Sequence, residues 1–157
     1  MLTLSMGKGI SSSDWFADAS FSVHCDFESH NGMAMRFGNG RGCSMSGSDK
    51  QKLNTESLTM AESVGVDCVL PLVLWVPLFL KEQGHKVTEN KMHQDNESAT
   101  LSAKNGKVSS GERTRAVNIG CFCIEDQINR GNVSMDCCHT DNVTSNHMSE
   151  RLQGLKF

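Results

Sequence analysis

An α/β fold on a five-stranded mixed sheet, three antiparallel strands followed by two more, is predicted by three features of this 157-residue chain. Short alternating runs separated by glycine-rich turns fill its first third. A long apolar run holding both prolines lies in the middle. Two further short runs of strand character then alternate with segments of helical periodicity, which completes a sheet flanked by helices.

The elements follow in order. Phe16 to Val23 sets Phe21 and Val23 among small or polar residues, and Gly32 to Gly38 alternates Met33, Met35 and Phe37 with Ala34 and Arg36. Both read as strands with a hairpin between them. A third strand over Gly42 to Ser46 completes an antiparallel meander. The glycines of Gly38-Asn-Gly40-Arg-Gly42 fit a hairpin turn and not a phosphate loop, because no Lys-Ser/Thr follows and no helix is signalled. Ser57 begins a helix containing Thr59, Glu62, Val66 and Val69, and Pro71 is expected to start a second helical piece. Pro77 is harder to place, since in a helix interior it removes one backbone bond and crowds the preceding turn at roughly 3 kcal/mol.

Lys86 to Gln94 reads as the fourth strand and ends at Asp95. Asn96 is the N-cap of a short helix through Ala103, which holds Asp95 at the strand's C-terminal edge, where ligands collect in such sheets. Arg115 to Ile128 carries Val117, Ile119, Phe122, Ile124 and Ile128 and reads as a helix despite Gly120. Asn132 to Cys138 is the fifth strand, and the tail from Asn142 is read as a helix.

Composition narrows the function. Hydrophobic content of 38% supports a single core, and a formal net charge of -3 with pI near 6.0 argues against strong intrinsic affinity for nucleic acid. The seven cysteines are odd in number, and Met1-Leu-Thr-Leu-Ser-Met-Gly-Lys lacks the pattern of a secretory leader, so reduced thiols in an intracellular, non-secreted protein are expected. The sequons at Asn96, Asn132 and Asn142 are then idle. The apolar run Cys68 to Leu80 is read as buried helix, too short to span a membrane, so no membrane partner is expected.

Cys121-Phe-Cys123, Cys137-Cys138-His139 and His147 contain zinc-type ligands, which keeps a Cys/His metal-dependent interaction module as one alternative. Their spacing lacks the two-to-four-residue gap of a zinc knuckle, and inert thiols are the simpler reading. No nucleophile motif surrounds any serine. The basic cluster Lys104, Lys107, Arg113 and Arg115 is the candidate phosphate-contacting face, weighed equally against a solvated loop.

Three short segments carry the chemistry: Trp15-Phe-Ala-Asp-Ala-Ser20, Ala61-Glu-Ser-Val-Gly65 and Gln94-Asp-Asn-Glu-Ser-Ala99. Each sets one carboxylate where a strand meets a turn or a helix begins. A lone acid is ordinarily a solvated surface charge. Asp18, Glu62 and Asp95 together form a hard oxygen donor set for divalent cations, and paired ions held by shared carboxylates serve phosphodiester cleavage.

The same segments, with Lys50-Gln-Lys-Leu-Asn-Thr55, Val73-Leu-Trp75, Phe79-Leu80, Gln83-Gly84 and Leu152-Gln-Gly154, resemble the ribonuclease H domain of Ty1/copia-type retrotransposon polyproteins. The resemblance runs from Trp15 to the C-terminus. It implies a ribonuclease H-like domain over 14–157, with 1–13 as a leader at the end of a reverse transcriptase. It further implies cleavage of the RNA strand of RNA:DNA hybrids, two Mg2+ ions with Mn2+ as a substitute, and a reverse transcriptase partner in the same polyprotein. Asp18, Glu62 and Asp95 match the family's catalytic, metal-binding acids.

The chain departs from the family pattern at several positions. Asn146 stands where the family has its fourth acid; its amide offers a carbonyl oxygen to a metal but no charge and no base. Ala116 replaces a usual His, and Met60 a common acid. Tyr is absent, with Phe21, His93 and Cys121 at positions where the family commonly carries it. A catalytically impaired remnant that keeps the fold or nucleic-acid binding, favoured by Asn146, Pro77 and Ala116, is therefore the first alternative function.

Overall fold

The computed structural model describes residues 10–38, 42–106, 115–139 and 149. Five strands and three helices follow one another as β1 (Ser12–Ser20), β2 (His30–Phe37), β3 (Met45–Lys50), α1 (Leu58–Glu82), β4 (Glu89–Gln94), α2 (Glu97–Asn105), α3 (Arg115–Asn129) and β5 (Ser134–Cys137). The sheet order is β3-β2-β1-β4-β5. β1 pairs antiparallel with β2, and β2 with β3, whereas β4 runs parallel to both β1 and β5. Parallel neighbours need a crossover. α1 supplies it between the meander and β4, and α2 with α3 supplies it between β4 and β5.

The five-stranded mixed sheet is as expected, while the strand limits shift for physical reasons. β1 begins earlier than Phe16 because the polar Ser12, Ser13 and Asp14 already pair with β2 and β4. It also ends earlier, since the chain turns away at Ser22, which has φ 54°. As the central strand, β1 is covered on both faces over Trp15 to Ala19, so it lacks a simple two-residue alternation. β3 lies at Met45–Lys50 and not over Gly42 to Ser46. It is a mostly exposed edge strand, so no buried face marks its register.

α1 is one continuous helix of 25 residues through both prolines, not two pieces meeting at Pro71. Ser57 caps it, accepting from the Met60 amide. Pro77 removes the amide that would bond the Val73 carbonyl. That carbonyl instead accepts a 2.9 Å hydrogen bond from the Asn90 side-chain amide on β4. Pro77 therefore leaves the helix intact. The same Asn90 donates to the Asn132 carbonyl and accepts from the Ser13 hydroxyl and the Trp15 indole, so one amide joins α1, β1, β4 and the approach to β5.

The main core lies between α1 and the sheet, around Trp15, Ala17, Met35, Val66, Val73 and Met92. By length and composition α1 is able to cross a membrane, contrary to the expectation from its apolar run alone, yet half of the qualifying window is buried in this core. Trp75, Leu78 and Phe79 face outward, with the Trp75 and Phe79 rings stacked 4.8 Å apart. Two glycines set how closely α1 approaches its neighbours. A β-carbon on Gly65 would lie 3.2 Å from Asn31 Oδ1 and 3.5 Å from Ala19 Cβ, and one on Gly120 of α3 would lie 2.8 Å from Asp67 Cγ.

Candidate metal centre

Three elements meet at one end of the sheet. Asp18 lies near the end of β1, Glu62 in the second turn of α1, and Asp95 directly after β4. One oxygen from each lies within 4.8 Å of the others. Asn96 caps α2 by accepting from the Ala99 amide, which bends the chain at the β4 exit and fixes Asp95 there. Gly65, one turn after Glu62, lets α1 close on β1 near Ala19, and so brings Glu62 to Asp18. The three carboxylates line an open pocket with Ser20, Phe21, Leu58 and Asn96.

Asp18 and Glu62 are buried, at 9% and 4% exposure, and Asp95 is half-buried. Burial, reinforced by the Asp18 carboxylate and further by Asp95, pushes the Glu62 carboxyl up to about 8 from an ordinary 4.5. Two donors oppose that rise. The Ala19 amide and the Gln94 side-chain amide both donate to Glu62 Oε2, at 3.0 and 2.6 Å. Ser149, buried and helical, donates its hydroxyl to Asp18 Oδ2.

The structure thus brings Asp18, Glu62 and Asp95 together. Asn146, Lys107 and Arg113 lie outside the described residues. Arg115 opens α3 with its side chain undescribed, and Lys104 is exposed near the end of α2. Gln94 and Ser149 escape a reading of the sequence alone. The signal for Gln94 is parity: Asn90, Met92 and Gln94 share one face of β4, and a polar residue beside Met92 on a core-facing strand needs a buried partner. Among the described residues the metal-capable cluster is carboxylate, and the cysteines join no such cluster. Cys121 is buried, while Cys123 and Cys137 are exposed.

No protein-family model and no curated protein sequence matches the chain. Solved structures do match it. The N-terminal RNase H domain of rv2228c from Mycobacterium tuberculosis, solved as a fusion with maltose binding protein, superposes with a TM-score of 0.61. Identity is 10%, over 88% of this chain and 91% of that one. The fold is ribonuclease H-like. LC11-RNase H1, isolated from compost by a metagenomic approach, superposes with a TM-score of 0.62 at 10% identity, over 88% of this chain and 92% of its own. The foamy viral protease-reverse transcriptase in complex with RNA/DNA hybrid gives 0.60 at 9% identity, with 95% of this chain matching 21% of that longer one. In this ribonuclease H-like fold the three carboxylates stand at the ends of β1 and β4 and on the helix that crosses between them.

Proposed function

We propose that this chain is the ribonuclease H domain of a Ty1/copia-type retrotransposon polyprotein, acting inside the cell on the RNA strand of RNA:DNA hybrids. The observation that carries the reading is the convergence of Asp18, Glu62 and Asp95 within 4.8 Å. Structural neighbours support the substrate class, since LC11-RNase H1 and the foamy viral enzyme are both solved with RNA/DNA hybrid. The foamy viral protein also supports a reverse transcriptase as neighbour in one longer chain.

The donor set fits a hard divalent cation: it is all carboxylate oxygen, with no sulfur or imidazole among the clustered ligands. Asp18, Glu62 and Asp95 are the residues that would hold Mg2+ or Mn2+. When bound, a pair of such ions activates the attacking water and stabilises the leaving oxygen. The chain itself supplies the placement. Ala19 and Gln94 hold Glu62, Ser149 holds Asp18, and the Asn96 cap fixes the β4 exit that carries Asp95. Lys104, Lys107, Arg113 and Arg115 are proposed as the phosphate-contacting side chains.

The test is cleavage of an end-labelled RNA:DNA hybrid with Mg2+, comparing the parent with Asp18→Asn. Cleavage of the RNA strand that Asp18→Asn abolishes bears the reading out. A second reading is favoured by Asn146, an amide where the family has an acid: a copy that binds hybrid without cleaving it. Hybrid binding with no cleavage under any Mg2+ or Mn2+ concentration selects that second reading.

A further inference from the structure

We propose that Gln94 is a positioning residue for the carboxylate site, its side-chain amide holding Glu62 by Oε2 and leaving Oε1 to face the cation. The proposal rests on the reading of Asp18, Glu62 and Asp95 as a metal site. Gln94 is fully buried, at 0% exposure, and its Nε2 lies 2.6 Å from Glu62 Oε2. The Ala19 amide donates to the same oxygen at 3.0 Å. Two donors on one oxygen fix the carboxylate plane, and the second oxygen is the one available to a cation.

Two properties separate this arrangement from ordinary core satisfaction. The Gln94 Oε1 is buried with no hydrogen-bond partner among the described residues, a cost that apolar packing at this inward position would avoid. Turning the amide over would set that oxygen against Glu62 Oε2, which already accepts from the Ala19 amide, so the contact with Glu62 fixes its orientation. The donor is also neutral. A Lys or Arg here would hold Glu62 equally well but would cancel the negative charge that attracts the cation, whereas an amide orders the ligand and leaves that charge in place. Gln94 directly precedes Asp95, so the strand end that presents one ligand also clamps another.

Two measurements test this. In the parent, the assigned Gln94 side-chain amide protons are followed by NMR hydrogen exchange with and without saturating Mg2+. Slow exchange in both states is expected, and loss of protection on adding Mg2+ overturns the proposal, whether or not any variant folds. Mn2+ affinity is then measured by electron paramagnetic resonance titration for the parent and Gln94→Met, which keeps length and removes the donor. About a tenfold weakening is expected at a nearly unchanged Tm, on the scale of one charge-assisted hydrogen bond. A folded Gln94→Met that binds Mn2+ as the parent does overturns the proposal alone. A parent that binds no Mn2+ overturns the metal-site reading and the proposal with it, and the protected amide then marks a purely structural bond.

Discussion

The Asn90 side-chain amide donates at 2.9 Å to the Val73 carbonyl, the one that Pro77 deprives of its helical partner. A residue on β4 thereby completes the backbone bonding of α1. Four residues further along the same strand face, Gln94 reaches the other end of that helix at Glu62. The two amides flank Met92, so β4 bonds α1 on either side of a core contact.

Asn90→Leu should destabilise the fold by about 3 kcal/mol, because it strands the Val73 and Asn132 carbonyls together with the Ser13 and Trp15 donors. In a Pro77→Ala background the restored amide satisfies Val73, and the same substitution should cost about 1 kcal/mol less. Urea unfolding of the four proteins measures the difference. Equal costs in both backgrounds would show that Asn90 does not compensate for Pro77.

Metal-free stability should fall as pH rises. Glu62 titrates near 8 in the fold against an ordinary 4.5, so between those values the native state binds more protons than the unfolded chain. The stability that this group contributes is full below about 4.5 and is lost as pH climbs through about 8. Thermal melts in a chelator from pH 5 to 8.5 should show this decline, and Glu62→Gln should flatten it. An unchanged slope in Glu62→Gln would place the effect elsewhere.

Mg2+ should raise Tm, and more at pH 8 than at pH 5.5, because the cation binds the ionised carboxylates in competition with protons. Asp18→Asn should remove most of that rise. A parent whose Tm is indifferent to millimolar Mg2+ at both pH values would count against a metal site.

Gly65 controls the approach of α1 to β1. Gly65→Ala should be nearly neutral, since the added carbon has only a 3.2 Å contact with Asn31 Oδ1 to relieve. Gly65→Val should cost about 2 kcal/mol through overpacking, and should also weaken Mn2+ binding by drawing Glu62 away from Asp18. Full metal affinity in a folded Gly65→Val would show that the helix approach does not set the site.

If the fourth ligand limits activity, Asn146→Asp should raise Mg2+-dependent cleavage about tenfold or more, since each added carboxylate offsets the repulsion between two divalent ions. Cleavage across a Mg2+ titration, with Asn146→Asp carrying Asp18→Asn as control, checks this. No gain in a folded Asn146→Asp would remove the fourth ligand as the limit.

The order of elements, the caps at Ser57 and Asn96, and the three acids Asp18, Glu62 and Asp95 were legible in the residues. The elements and caps are local signals, a strand period and a capping side chain, whereas the acids stood out through the family-like segments that surround them. Strand limits were only partly legible, because β1 is buried on both faces and β3 is an exposed edge, so neither shows the alternation that marks register. The continuity of α1 through Pro77 was not legible at all. Proline is a local breaker, and only the fold brings Asn90 to the carbonyl that proline orphans. Gln94 carried only the parity it shares with Asn90 and Met92 on β4, and Ser149 was silent, since a lone serine has no signature until the fold brings it to Asp18. Tertiary structure decided how the site is held, because holding a carboxylate needs donors that are distant in sequence: Ser149 reaches Asp18 across 131 residues, and Gln94 reaches Glu62 across 32.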